Sequence, residues 1–141
     1  MNKKFILPAL IFALLLIVSG SSNVYSQYVK NDSLYFCEEY KDSQEIGNSD
    51  AFYIKKDGGF ITVMLRTVKG IGVTSVDIVI ERDVAGIKEK VSTEPFDVEA
   101  NWDYIFFANI TFKEPGKYKV SAVKKNGEII ASAYVNMLLE K

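Results

Sequence analysis

Lys117-Tyr118-Lys119-Val120-Ser121-Ala122-Val123-Lys124-Lys125-Asn126-Gly127 is the stretch that decides the fold class. Tyr118, Val120 and Ala122 fall on one side of a period-two pattern, and Lys117, Lys119 and Ser121 on the other. Successive side chains of a β-strand point to opposite faces, so this alternation reads as a half-buried strand. Asn126-Gly127 accepts the positive φ angles of a tight hairpin turn. Glu128 to Met137 is then the returning strand.

The same grammar extends backwards. Tyr104 to Phe112 is strongly β and is stopped by Glu114-Pro115-Gly116. Ser75 to Arg82 groups Val76, Ile78 and Ile80 against Asp77 and Glu81, and Phe60 to Thr67 groups Ile61, Val63 and Leu65. Lys56-Asp57-Gly58-Gly59 forms a turn in front of that strand. Short strands are expected at Leu34 to Tyr40 and Ala51 to Lys55, with a polar loop at Lys41 to Asp50 between them. Ile87 to Ser92 is weaker and charged, which suits a sheet edge. Thr93 to Asp103 reads as a connection containing Pro95. Seven to eight short strands with turns between them predict an all-β domain, an antiparallel β-sandwich.

Residues 1 to 26 follow a different rule. Lys3 and Lys4 precede an apolar run from Phe5 to Val18, interrupted only by Pro8, and small and polar residues follow up to Ser26. That order is the three-part secretory signal. The run is about 14 residues, short of the roughly 20 a bilayer span needs. Val24 and Ser26 fit the −3 and −1 positions of a cleavage before Gln27. The expected organisation is a signal peptide over 1–26 and one β-domain over 27–141, in a secreted or periplasmic protein.

Composition narrows the function classes. Lys+Arg number 17 against 18 Asp+Glu, and the signs alternate along the chain. There is no basic surplus to attract nucleic acid or an anionic membrane. The chain has no histidine, which removes the usual neutral-pH general base and the commonest metal ligand. Its one cysteine, Cys37, has no partner for an internal disulfide, so the core must hold the fold. Two carboxylates follow Cys37 directly and disfavour a reactive thiolate, so it reads as a small buried hydrophobe.

Glu114-Pro115-Gly116-Lys117-Tyr118-Lys119-Val120 resembles the tyrosine-corner segment of immunoglobulin-like domains, acidic-x-Gly-x-Tyr-x-Cys. Tyr118 matches the tyrosine and Gly116 the glycine, while Val120 stands at the cysteine position. The likeness is best over 114–137 and looser over 59–137. It departs from the pattern in the missing cysteine and in Trp102, which lies too close to Val120 to be the buried tryptophan of the third strand. The resemblance implies a disulfide-free immunoglobulin-like or fibronectin-like module of a bacterial secreted protein, with the Tyr118 hydroxyl bonded to nearby backbone.

No catalytic, cofactor or metal residue is expected. Glu38, Glu39, Asp42, Glu45 and Asp50 lack the alternating Asp/Asn-and-glycine order of a calcium loop. Asp97, Glu99 and Asp103 carry no spacing that makes an acid/base pair. The expected function is a non-catalytic interaction or structural domain that docks to an envelope or extracellular protein through a sheet face. Extending period two backwards from Ile110 and Phe112 buries Phe106 and Ala108. That turns Ile105 and Phe107 outward beside Met64, and these three are the expected docking residues. The alternative is a carbohydrate-binding module with Trp102 and Tyr104 as a stacking platform.

Overall fold

The alternating stretch at 117–123 becomes a strand at the middle of a sheet. A computed structural model describes residues 31–141; the signal-peptide reading of 1–26 and the start of the polar lead-in lie outside the described residues. Ten strands run in chain order: β1 Ser33–Cys37, β2 Glu39–Lys41, β3 Gln44–Ile46, β4 Ala51–Ile54, β5 Gly59–Arg66, β6 Ser75–Val84, β7 Ile87–Asp97, β8 Tyr104–Phe112, β9 Gly116–Val123 and β10 Ile129–Leu139. The sheets have the orders β1-β5-β8, β4-β10-β9-β6-β7 and β2-β3.

The eight expected strands are all present, with three differences. The segment read as a polar loop at 41–50 holds a hairpin, β2-β3, whose central residues Asp42 (φ 52°) and Ser43 (φ 61°) adopt the left-handed region that a two-residue turn demands. β7 runs on through Pro95 instead of ending at Ser92; it pairs with β6 alone, and an edge strand tolerates a residue without an N–H. Not every pair is antiparallel, because β10 pairs β4 in parallel.

Both larger sheets contribute to one hydrophobic core. Val63, Leu65, Ile105, Phe107 and Ile110 come from one side, and Val76, Ile78, Ile80, Tyr118, Val120 and Val135 from the other. Ring contacts cross the gap: Phe96 of β7 meets Phe107 of β8 at 4.9 Å between centroids, and Phe112 of β8 meets Tyr118 of β9 at the same spacing. The arrangement is all-β and compatible with a β-sandwich.

Tyr118 is buried, and its hydroxyl donates to the Glu114 carbonyl at 2.7 Å. This bond closes the turn into β9, and the positive φ of Gly116 (150°) belongs to the same turn. Tyr118→Phe should therefore lower the unfolding free energy by about 1 kcal/mol, the usual worth of one such bond. Coincident denaturant midpoints for the two proteins would show that the hydroxyl contributes nothing.

Candidate functional site

β8 does not keep one phase. Its burial alternates from Tyr104 to Phe107, then Ala108 and Asn109 are both exposed, and alternation resumes with Ile110 buried. The pairing shows why. Ile61 faces Ile110 and Val63 faces Phe107, so Thr62 alone spans the stretch opposite Ala108 and Asn109. The extra residue is a β-bulge, with Asn109 in the left-handed region at φ 58°. Ile105 and Phe107 are consequently in the core, at 4% and 2% exposure, and Phe106 is the outward residue at 47%. This corrects the expected docking surface: Ile105 and Phe107 lie inside, and Met64, which does face away from the core, is covered at 1% exposure.

The cover over Met64 belongs to the same chain. Cys37, Thr62 and Met64 form a buried layer on the outer face of the three-stranded sheet, with Cys37 paired to Thr62 and Tyr35 to Met64. The chain turns back after Cys37, and the β2-β3 hairpin lies against β5 and β8. Tyr40 of β2 stacks on Phe106 at 4.5 Å between centroids and meets Tyr104 edge-on at 5.9 Å.

One carboxylate fastens this hairpin. Glu45 of β3 accepts hydrogen bonds from the Tyr35 hydroxyl (2.7 Å), the Asn48 amide (2.6 Å) and the Tyr104 hydroxyl. Arg66 lies 3.8 Å from the same carboxylate, donates to the Tyr35 oxygen at 3.0 Å, and places its guanidinium 4.5 Å from the centre of the Tyr104 ring. Burial alone would raise the Glu45 pKa. The bonds from Tyr104, Tyr35 and Asn48 and the Arg66 charge outweigh it and hold the carboxyl below its ordinary value. Burial and the same carboxylate push both tyrosines up. The cluster is a structural clamp: Tyr35, Tyr104 and Asn48 all donate to the one Glu45 carboxylate, and Arg66 lies beside it.

The other sequence candidates are placed as follows. Tyr104 is 39% exposed, but its hydroxyl serves Glu45 and one ring face lies under Arg66. Trp102 is 42% exposed on the β7–β8 connection, where Ile71 N–H donates to its carbonyl at 2.7 Å. Among the described residues, the close ring pairs of Tyr104 are with Tyr40 and not with Trp102, so the two are not joined in one platform. Among the described residues, no group of three or more acidic or thiol side chains is placed to hold a metal ion.

Cys37 is fully buried, and its thiol donates to the Glu39 carbonyl at 3.4 Å. Burial, and then the Glu45 charge, push its pKa up. Native protein should therefore react with a thiol reagent far more slowly than protein in denaturant. Equal rates in the two states would place the thiol at the surface.

A second surface lies beside the hairpin; the period-two pattern of the 60–67 strand turns Phe60 outward, but nothing in the sequence joined it to Tyr53. Tyr53 of β4 and Phe60 of β5 are 68% and 64% exposed. Both line a groove of about 640 Å³ that also takes in Glu38, Asn48, Ser49 and Glu140. The turn at Lys55–Gly58 carries the chain from β4, at the edge of the five-stranded sheet, to β5 of the three-stranded sheet, and both strands border the groove. Glu140 is held at the rim because its N–H donates to the Ile54 carbonyl at 2.9 Å. Gly47 has φ 69°, and a Cβ there would stand 2.6 Å from the Glu38 carboxyl carbon. Only glycine lets the Glu38 side chain lie over this turn. The available signal was Tyr53 and Phe60 flanking a tight turn; pattern alone did not say which faces stayed uncovered.

A scan against protein-family models gives no match for this chain, and a search of the curated proteins gives none either.

Proposed function

We propose that this chain is an exported, non-catalytic domain of immunoglobulin-like type that works by binding another protein of the envelope or extracellular space. The likeness is supported by the strand order, three strands β1-β5-β8 against β4-β10-β9-β6-β7, and by the Tyr118 hydroxyl closing the turn into β9. The binding role rests on one observation: two aromatic side chains, Tyr53 and Phe60, stand about two-thirds exposed along one groove, whereas the outer face of the three-stranded sheet at Met64 is covered by the chain's own hairpin. Exposed apolar surface gathered at one place, and rimmed by polar groups, is the mark of a contact site. The docking function proposed for a sheet face thus moves from Met64, Ile105 and Phe107 to the groove beside β4 and β5.

The test is a pull-down from extract of the source cells with wild-type protein and with the Tyr53→Ala/Phe60→Ala double variant, beside a glycan array. The proposal expects one protein to be retained by the wild type and lost by the double variant. Glycan binding that vanishes on Trp102→Ala, with no protein retained, would overturn it in favour of a carbohydrate-binding module.

A further inference from the structure

We infer that the Tyr53–Phe60 groove takes a cationic, arginine-bearing extended segment of a partner protein. This inference rests on the protein-binding reading and names the chemistry of the partner.

The groove carries charge of one sign. Its ionisable lining residues are Glu38 and Glu140, and no lysine or arginine lines it. Among the described residues neither carboxylate is engaged in an ion pair. Other carboxylates do find cations within the chain, among them Glu114 with Arg82 at 2.6 Å, Asp77 with Lys125 at 2.6 Å and Asp83 with Lys88 at 3.1 Å. The groove thus sets two carboxylates that make no ion pair among the described residues beside two exposed rings.

Rings and carboxylates together select a cation. The face of tyrosine or phenylalanine attracts a positive group placed within about 6 Å of its centre. A guanidinium is planar and weakly hydrated, so it can stack on a ring and still offer donors to a carboxylate. The domain already makes this arrangement internally, where Arg66 lies over Tyr104 and beside Glu45. The groove supplies the ring and the carboxylate without the arginine. Asn48 and Ser49 add amide and hydroxyl groups for the backbone of an incoming segment. The groove is open, which suits a chain laid along it better than a small molecule enclosed by it.

The probe is a blocked tetra-arginine peptide, followed by calorimetry and by amide chemical shifts of the whole protein. Blocked tetra-asparagine and a neutral tetrasaccharide serve as comparisons. The expected result is shifts confined to residues 47–53, Phe60 and Glu140, with affinity falling as salt rises. Tyr53→Ala and Phe60→Ala should each weaken binding about tenfold, and Glu38→Gln and Glu140→Gln several-fold with a shallower salt dependence. Unchanged affinity in both glutamine variants would overturn the cationic assignment, as would tighter binding of the tetrasaccharide. Shifts spread over all acidic surfaces, or none at millimolar peptide, would overturn the site. If the site fails in this way while the double alanine variant still retains a protein in the pull-down, protein binding stands and only its location is wrong.

Discussion

Phe107→Ala should lower the unfolding free energy by about 3–5 kcal/mol, while Phe106→Ala, one residue away, should cost much less. Phe107 is 2% exposed and packs edge-on against Phe96 across the core. Removing a large buried ring loses its transfer free energy and leaves a cavity that neighbours refill only in part. Phe106 is half exposed and loses chiefly its stack on Tyr40, worth on the order of 1 kcal/mol. Urea or thermal unfolding of both variants measures the difference. The two neighbours exchange roles if the bulge at Ala108 and Asn109 is absent, so a reversed order of stability would refute the register of β8. The bulge has its own signature. Asn109→Val puts a β-branched residue at φ 58° and should cost a further 1–2 kcal/mol or so, whereas Asn109→Gly should be close to neutral.

The second large effect belongs to Glu45. Glu45→Ala removes the acceptor shared by Tyr35, Tyr104 and Asn48 and leaves Arg66 without its counter-charge. Hydrogen bonds to a charged group contribute about 1.5–3 kcal/mol each at most, and they share one carboxylate here, so a total loss of roughly 2–3 kcal/mol is expected. The hairpin should loosen before the rest of the domain, because β2 and β3 pair only with one another. Cys37 lies beneath it, so faster labelling of the thiol in the variant, with the global midpoint less affected, is the specific readout. Acid should mimic the substitution. The folded pKa of Glu45 is depressed. Its contribution is complete above the ordinary glutamate value of about 4.3 and is lost as pH falls through the lower, folded value. Protonation slows every thiol alike, so the readout is the labelling rate relative to fully denatured protein at each pH; a relative rate that rises below about pH 4 in wild type and is already high and flat in Glu45→Ala would bear this out. A wild-type relative rate that stays level to the onset of global unfolding would contradict it.

Much of the architecture was legible because strands with one buried face write their phase in the sequence. β5, β6 and β9 bury the residues their alternation names: Ile61, Val63 and Leu65, then Val76, Ile78 and Ile80, then Tyr118, Val120 and Ala122. The error on β8 came from the same rule applied across a point where it resets. Period two carries a phase only along an uninterrupted ladder, and one inserted residue turns every side chain before it to the opposite face. The sign of that insertion was present: Asn109 is a poor strand residue amid Ile105, Phe106, Phe107 and Ile110.

The hairpin was missed for a different reason. β2 and β3 are three residues each, too short for alternation to register, and what holds them is long-range: Glu45 meets Tyr35, Arg66 and Tyr104 from three separate strands. No local pattern reports such a convergence. The groove was illegible on the same ground, since Glu38, Tyr53, Phe60 and Glu140 come together only once β4 has paired with β10.

The parallel pairing of β4 with β10 sets an order of events as the chain leaves the ribosome. Ala51 faces Asn136 and Ile54 faces Leu139, so one of the earliest strands of the domain waits for the last. Contacts this distant in sequence close late and slowly. A nascent chain that ends before Asn136 can form β6-β7 and begin β9, but it leaves β4 with no ladder and Tyr118 beneath an incomplete sheet. Stalled chains of increasing length should therefore remain protease-sensitive until the β10 segment has emerged, and then become resistant in a single step.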